Sequence, residues 1–236
     1  MRCYPHVDNI SFNYLVVRIE YKRYKNIVLL GKISMIRAYT NNCLTFIIKP
    51  KGEQTDMSIA VIYGSTRLHG NTEQLTEHVI KGLEVEKIFL RDFLIQPIDD
   101  RRHSEGGFLP VDDDYSLLVE RMMKHDTFIF ATPIYWYSMS GTMKNFIDRW
   151  SHTMRDEKFP DFKKQLGTKK AYVVAVGGDN PYLKGLPLIQ QFNYIFQFMG
   201  ISFGGYVLGK AGRPGDIDED TAAISAAVNL NEKIGK

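Results

Sequence analysis

Residues 57–236 predict an α/β protein: an open, doubly wound parallel sheet of five strands with helices on both faces. Three observations carry this. Short, wholly apolar, β-branched runs alternate strictly with segments of helical period, as expected for parallel strands covered on both sides. Five such units fit the length after Met57, and no internal repeat competes with them. Charge also changes at that point: residues 1–56 hold nine Lys/Arg and four Asp/Glu, whereas residues 57–236 hold 21 and 23.

The elements follow in order. SIAVIY at 58–63 is a buried strand, and Leu75, Val79 and Leu83 give a helix over 71–83. A second strand spans 85–90. Pro97, Gly106, Gly107 and Pro110 make 92–112 irregular. Tyr115, Leu118, Val119 and Met122 mark the second helix, with Asp113 or Asp114 as its cap. TFIFAT at 127–132 is the third strand. Met143, Phe146, Ile147 and Trp150 form a helix after Ser140 and Gly141. The fourth strand is 170–176. Leu188, Phe192, Ile195, Phe196 and Met199 form a helix stopped by Gly200. A fifth strand at 201–208 and a helix over 217–234 complete the pattern.

Composition excludes several classes. At 44% hydrophobic and 24% charged residues the chain has ample apolar mass for a core. No apolar run reaches the ~18 residues of a membrane span. Cys3 and Cys43 cannot build a disulfide scaffold, nor a zinc site by themselves. The net charge of +3 and a pI near 8.7 suggest an anionic partner until the chain is divided. The first part is then +5 and the second −2.

Residues 1–56 read poorly as a domain. Their β-prone fragments (16–17, 27–30 and 46–48) share no long amphipathic period, and the piece is small for a core. The favoured reading is upstream sequence translated from an early start codon. Lys51, Gly52 and Glu53 can be encoded as a purine-rich ribosome-binding site three codons before Met57. A small added β element and a basic targeting segment are the alternatives. N-terminal sequencing of the protein from its native locus tests this, and a product beginning at Met1 overturns it.

In a doubly wound sheet the ligand sits beyond the carboxyl ends of the strands, where strand order reverses. The loops after strands one, three and four are therefore the candidates. The first runs Gly64, Ser65, Thr66, Arg67, Leu68, His69, Gly70, Asn71, Thr72. Backbone N–H groups at the following helix start, the hydroxyls of Ser65 and Thr72, the Asn71 amide and the Arg67 guanidinium make a phosphate cradle. It is neither a P-loop nor a Gly-x-Gly-x-x-Gly turn. A polar turn with a capped helix is the plainer alternative, and His69 reads as a solvated loop residue. The second candidate contains Pro133, Ile134, Tyr135, Trp136 and Tyr137. Three successive aromatics are costly to expose, and either a planar cofactor or a subunit interface would cover them. The third contains Gly178 and Asp179, where glycine permits close backbone approach to a ring edge.

The motif at 64–72 together with TPIYWYSMSGTMKNFIDR at 132–149 resembles the NADPH-dependent FMN reductase family, near its WrbA-type quinone reductase and iron–sulfur flavoprotein branches. The likeness spans 57–236. It implies a flavodoxin-like sheet of order 2-1-3-4-5. It implies FMN as cofactor, with Ser65, Arg67, Gly70, Asn71 and Thr72 at its phosphate. Pro133, Ile134, Tyr135, Trp136 and Tyr137 would line the isoalloxazine, with Gly178 and Asp179 at its other edge. Gly141, Lys144, Asp148 and Arg149 match a family signature and read as positioning or interface residues. Iron–sulfur relatives carry a cysteine cluster after strand two. Residues 95–107 here contain no cysteine, so no metal centre is expected.

The implied activity passes hydride from NADPH or NADH to FMN and on to a small-molecule acceptor (a quinone, azo compound, nitroaromatic or flavin) by ping-pong kinetics. No catalytic acid or base is nominated. Arg101 and Arg102 are a faint hint of a 2′-phosphate contact. The expected partners exclude nucleic acid and membrane and include a second copy, as homodimer or homotetramer, in the cytoplasm. An electron carrier of flavodoxin type and a flavin-binding redox sensor are the competing classes. A carrier would be strongly acidic, which −2 over 57–236 is not.

Overall fold

The computed structural model describes residues 15–20, 37–40, 43–48 and 58–235, in two compact units divided between Asp56 and Met57. In the first unit, strands β1 (Leu15–Glu20), β2 (Arg37–Thr40) and β3 (Cys43–Ile48) form an antiparallel sheet of order β1-β3-β2. Leu15 pairs with Ile48, and Thr40 with Cys43. The fragment at 27–30 lies outside the described residues.

In the second unit β4 (Ile59–Tyr63), β5 (Val85–Phe89), β6 (Thr127–Pro133), β7 (Lys170–Gly177) and β8 (Ser202–Lys210) form an all-parallel sheet of order β5-β4-β6-β7-β8. Counted within the unit this is 2-1-3-4-5, the order expected. Successive side chains leave a strand on opposite faces, which divides the core in two. Ala60, Ile62, Phe128, Phe130, Val173 and Ala175 face one side. They pack under α2 (Tyr115–Met123), α3 (Gly141–Asp148), α4 (Trp150–Thr153), α5 (Phe162–Leu166) and α7 (Leu186–Met199). Val61, Tyr63, Ile129, Val174 and Val207 face the other, under α1 (Asn71–Val79) and α8 (Thr221–Ile234). A short helix, α6 (Pro181–Lys184), follows β7.

Several boundaries differ from expectation, each for a local reason. The first helix stops at Val79 because the chain turns through Gly82 at φ +76°, placing Leu83 outside the helix. The last helix begins at Thr221, where the Asp220 carboxylate accepts from Ala223 N at 3.1 Å; residues Asp216–Glu219 form a separate 3-10 turn. The third helix breaks at Arg149 into α3 and α4. Asp114 holds the N-cap position of the second helix without a side-chain bond to it, and Asp113 Oδ1 accepts from the first helical N–H, Tyr115, at 3.3 Å. Asp114 Oδ2 accepts from Leu94 N at 2.8 Å and Asp113 Oδ2 from Gln96 N at 2.9 Å, fastening the ends of the irregular segment together.

Arg149 explains the break. Its guanidinium is 3% exposed, pairs with Asp113 at 2.7 Å, donates to Gln96 O at 3.2 Å and lies 4.4 Å over the Tyr115 ring. A buried arginine needs such partners, because an unpaired charge in the core costs several kcal/mol, on the order of 3–5.

Candidate functional site

The loops after β4, β6 and β7 meet at the carboxyl edge of the sheet. Ser140 is the joint between the first two. Its Oγ donates to Gly64 O at 2.6 Å and accepts from Met143 N at 3.2 Å, capping α3. Its own N–H donates to Thr132 Oγ1 at 3.0 Å. Gly64 must be glycine for this approach, since a Cβ there would lie 2.8 Å from Met143 Cβ and 2.9 Å from Ser140 Oγ.

The β4–α1 loop gathers Ser65, Arg67, Gly70, Asn71 and Thr72 at one helix start. Ser65 Oγ accepts from Arg67 N at 3.2 Å, closing a tight turn. Gly70 precedes α1 in extended conformation and offers no side chain to cap it. The first helical bond runs from Gln74 N to Gly70 O at 3.0 Å. The N–H groups of Asn71, Thr72 and Glu73 thus lie ahead of the helix's own bonding. The Arg67 aliphatic chain folds to 3.4 Å from where a Gly70 Cβ would be, and its guanidinium belongs to an exposed residue. Arg91 braces the loop from beneath, donating to Arg67 O at 3.2 Å and pairing with Glu73 at 3.5 Å. The donor set suits a phosphate monoester. Two expected donors are engaged within the chain: the Ser65 hydroxyl donates to Arg67 O at 3.4 Å, and both polar atoms of the Asn71 side chain bond to residues 213 and 215.

The β6–α3 loop is a two-residue turn. Tyr135 N donates to Ser138 O at 2.9 Å and Ser138 N returns to Tyr135 O at 3.0 Å. Its central residues, Trp136 and Tyr137, sit at φ +49° and +64°. This backbone geometry ordinarily selects Asn-Gly, and an aromatic pair there is strained. Trp136 is 94% exposed. Tyr137 Oη donates to Asp179 Oδ2 at 3.0 Å, and Lys184 Nζ reaches the same oxygen at 2.7 Å. Lys184 and Tyr137 hold the Asp179 carboxyl below its ordinary range. Ser138 Oγ donates to Gln191 Oε1 at 2.8 Å. Pro133 ends β6, Ile134 packs against the core, and Gly178 and Asp179 follow β7. The edge therefore carries a polar anion cradle beside an open aromatic platform, an arrangement that fits FMN.

A separate cavity of about 470 Å³ is lined by Gly178, Tyr182, Lys210, Ala211, Asp216, Glu219 and Asp220, among others. It shares only Gly178 with the expected cofactor residues. Its three carboxylates against one lysine disfavour a phosphate there.

Ser140, Arg91 and Lys184 were not singled out from sequence. Ser140 alone left a signal, as Ser before Gly at a helix start. Lys144 and Asp148 of the signature pair with each other at 2.6 Å on an exposed face. Arg102 is held by Asp100 at 2.7 Å.

A family model described as NADPH-dependent FMN reductase matches residues 57–201. A protein of Bacillus subtilis (strain 168), YwqN, named for NAD(P)H-dependent FMN-containing oxidoreductase activity, is 60% identical over 174 residues, covering 74% of this chain and 96% of that protein. The iron–sulfur flavoprotein MJ1083 of Methanocaldococcus jannaschii is 29% identical over 76% of this chain and 96% of its own. Among solved structures, the Trp repressor binding protein from Bacillus subtilis aligns with a TM-score of 0.62 at 53% identity, covering 73% of this chain and 96% of that one. An FMN-dependent NADH-azoreductase from Bacillus anthracis, in complex with FMN, aligns at 0.55 with 12% identity over 76% of this chain and 100% of its own; it shares the fold.

Proposed function

The chain belongs to the NADPH-dependent FMN reductase family, and on that premise we propose how residues 57–236 perform an FMN-dependent NAD(P)H oxidoreduction. Bound FMN supplies the hydride and electron chemistry. Ser65, Arg67, Gly70, Thr72 and the free N–H groups of α1 hold its phosphate. Asn71 contributes backbone only. Pro133, Ile134, Tyr135, Trp136 and Tyr137 bound one side of the ring, with Gly178 and Asp179 at the edge.

The observation that carries this reading is the Ser140 joint, 2.6 Å from Gly64 O, which sets the anion cradle directly beside the aromatic turn. One molecule with a phosphate at one end and a flat ring at the other spans both. The face of the flavin ring turned away from these residues would admit a nicotinamide and, after it leaves, an acceptor in the same place. Quinones, azo compounds, nitroaromatics and free flavin all have the flat, conjugated shape this face accepts. Among the described residues no helix is long and apolar enough to cross a membrane. We place the enzyme in the cytoplasm as a homodimer or homotetramer, to be read by size-exclusion with light scattering.

Purified full-length protein should be yellow, with flavin absorption bands. It should oxidise NADPH or NADH with a quinone, giving parallel double-reciprocal lines as acceptor is varied. Intersecting lines overturn the shared face. Bound FMN without turnover moves the assignment to a carrier or sensor. Arg67→Ala and Thr72→Val should each weaken FMN retention by about tenfold or more, the size expected for a charge-assisted or buried hydrogen bond. Unchanged stoichiometric FMN in both variants refutes the phosphate assignment.

A further inference from the structure

The Asn71 side chain is spent on another part of the chain. Its Nδ2 donates to Arg213 O at 2.7 Å, and its Oδ1 accepts from Gly215 N at 2.9 Å. Asn71 is 7% exposed, so these bonds are shielded from water. They fasten a segment more than 140 residues away to the first residue of α1. The same segment is held internally and from the other side. Asp216 Oδ2 accepts from Arg213 N at 2.7 Å and Gly212 N at 3.1 Å. Ala211 N donates to Gly177 O at 3.0 Å. A Cβ on Gly178 would lie 3.7 Å from Ala211 O and Gly212 Cα. Residues 211–215 thus run from the β7 loop to the α1 start, the two ends of the expected cofactor site. The family match stops at residue 201 and does not cover them.

Charge at the cradle is the second part of the argument. A phosphate monoester carries about −1.5 to −2 near pH 7. A helix N-terminus contributes about +0.5. Arg91 is engaged by Glu73, while Arg67 and Arg213 are exposed and enter no ion pair among the described residues. Arg67 with the helix end leaves part of the dianion unmatched. The backbone of Arg213 is clamped to Asn71, and its guanidinium would make up the difference. Of the nearby acids, Glu73 accepts from His69 N at 3.1 Å and pairs with Arg91, and Asp216 is held first by the Arg213 and Gly212 N–H groups, with the Arg213 charge a smaller influence on it. Ala211 and Gly212 line the acidic cavity, whereas Arg213 does not.

We propose that residues 213–215 form a further wall of the FMN phosphate site and that Arg213 is a second phosphate-binding cation. Asn71 is the positioning residue that brings it there. This rests on the reading that the FMN phosphate binds at the start of α1, and the test separates the two.

Dissociation constants for FMN and for riboflavin, which lacks the phosphate, are measured by flavin fluorescence on the full chain. Wild-type protein should prefer FMN strongly. Arg213→Gln should weaken FMN by about tenfold, leave riboflavin unchanged and flatten the salt dependence of FMN binding. Arg213→Lys should restore part of the preference. Thermal stability of Arg213→Gln should match wild type, because the residue is exposed; Asn71→Ser should reproduce the FMN effect with some loss of stability. An unchanged FMN-to-riboflavin ratio in Arg213→Gln overturns the proposal while Arg67→Gln still tests the cradle. No preference in wild type defeats the underlying reading as well. Unchanged FMN binding with a raised KM for NADPH but not NADH would assign Arg213 to the 2′-phosphate and also overturn it.

Discussion

The loop after β4 and the turn after β6 are neighbours with opposite construction. In the first, Ser65, Asn71 and Thr72 are 5%, 7% and 4% exposed, and the chain is braced by Ser140, Arg91 and residues 213–215. In the second, Trp136 is 94% exposed and two aromatics occupy positive φ. The polar half of the expected site is braced by the chain's own bonds. The apolar half is held open under strain. Preorganised donors spare an anion the cost of arranging them. An exposed aromatic face stores a gain released on contact, on the order of 1.5–3 kcal/mol for one large apolar side chain covered.

The joint between the halves is the largest lever on this contrast. Ser140→Ala removes two buried hydrogen bonds, one of them the α3 cap, and should cost about 2–3 kcal/mol. That lowers Tm by roughly 4–10 °C for a unit of this size, read by calorimetry. FMN affinity should fall with it; an unchanged Tm would mean the loops are independent. Next comes the strained turn. Trp136→Gly should raise Tm, with a gain of about 1 kcal/mol from relief at positive φ, while FMN affinity drops. Stability and binding moving in the same direction would defeat the idea of stored strain.

The smallest effect is electrostatic. Asp179 is held below the ordinary carboxylate range by Lys184 and Tyr137. A depressed carboxyl contributes above its unfolded pKa, about 3.9, and its contribution is lost as pH falls through the lower folded value. Iodide quenching of Trp136 in a Trp150→Phe background should therefore stay flat down to about pH 4 and change below it. Asp179→Asn should abolish that step. A step that persists assigns it to another acid.

The strands were legible because a strand buried on both faces leaves a continuous apolar run, as in IAVIY and TFIFATP. The break at Arg149 was not, because its partner Asp113 lies 36 positions away. Asn71 shows the same limit more sharply. An amide at a helix start after a glycine reads as a ligand donor, yet its atoms bond a loop from the far end of the chain. The two-residue turn at Trp136 and Tyr137 lacks the Asn or Gly that ordinarily announces one. What spacing reveals is periodic burial. What it hides is any contact whose partner is remote, and much of this site is built of such contacts.

One feature of β8 concerns strand pairing at the edge of the sheet. β8 is an open edge of the sheet, and the register slips between Ala171 and Tyr172, opposite Gly204 and Gly205. A Cβ on Gly204 would strike the Tyr172 ring at 2.3 Å, and Gly205 turns at φ +142°. Lys233 Nζ then takes Gly204 O at 2.5 Å. A bulged edge whose carbonyl is already bonded is a poor template for another strand. The kink guards this edge of the sheet against runaway pairing with another chain.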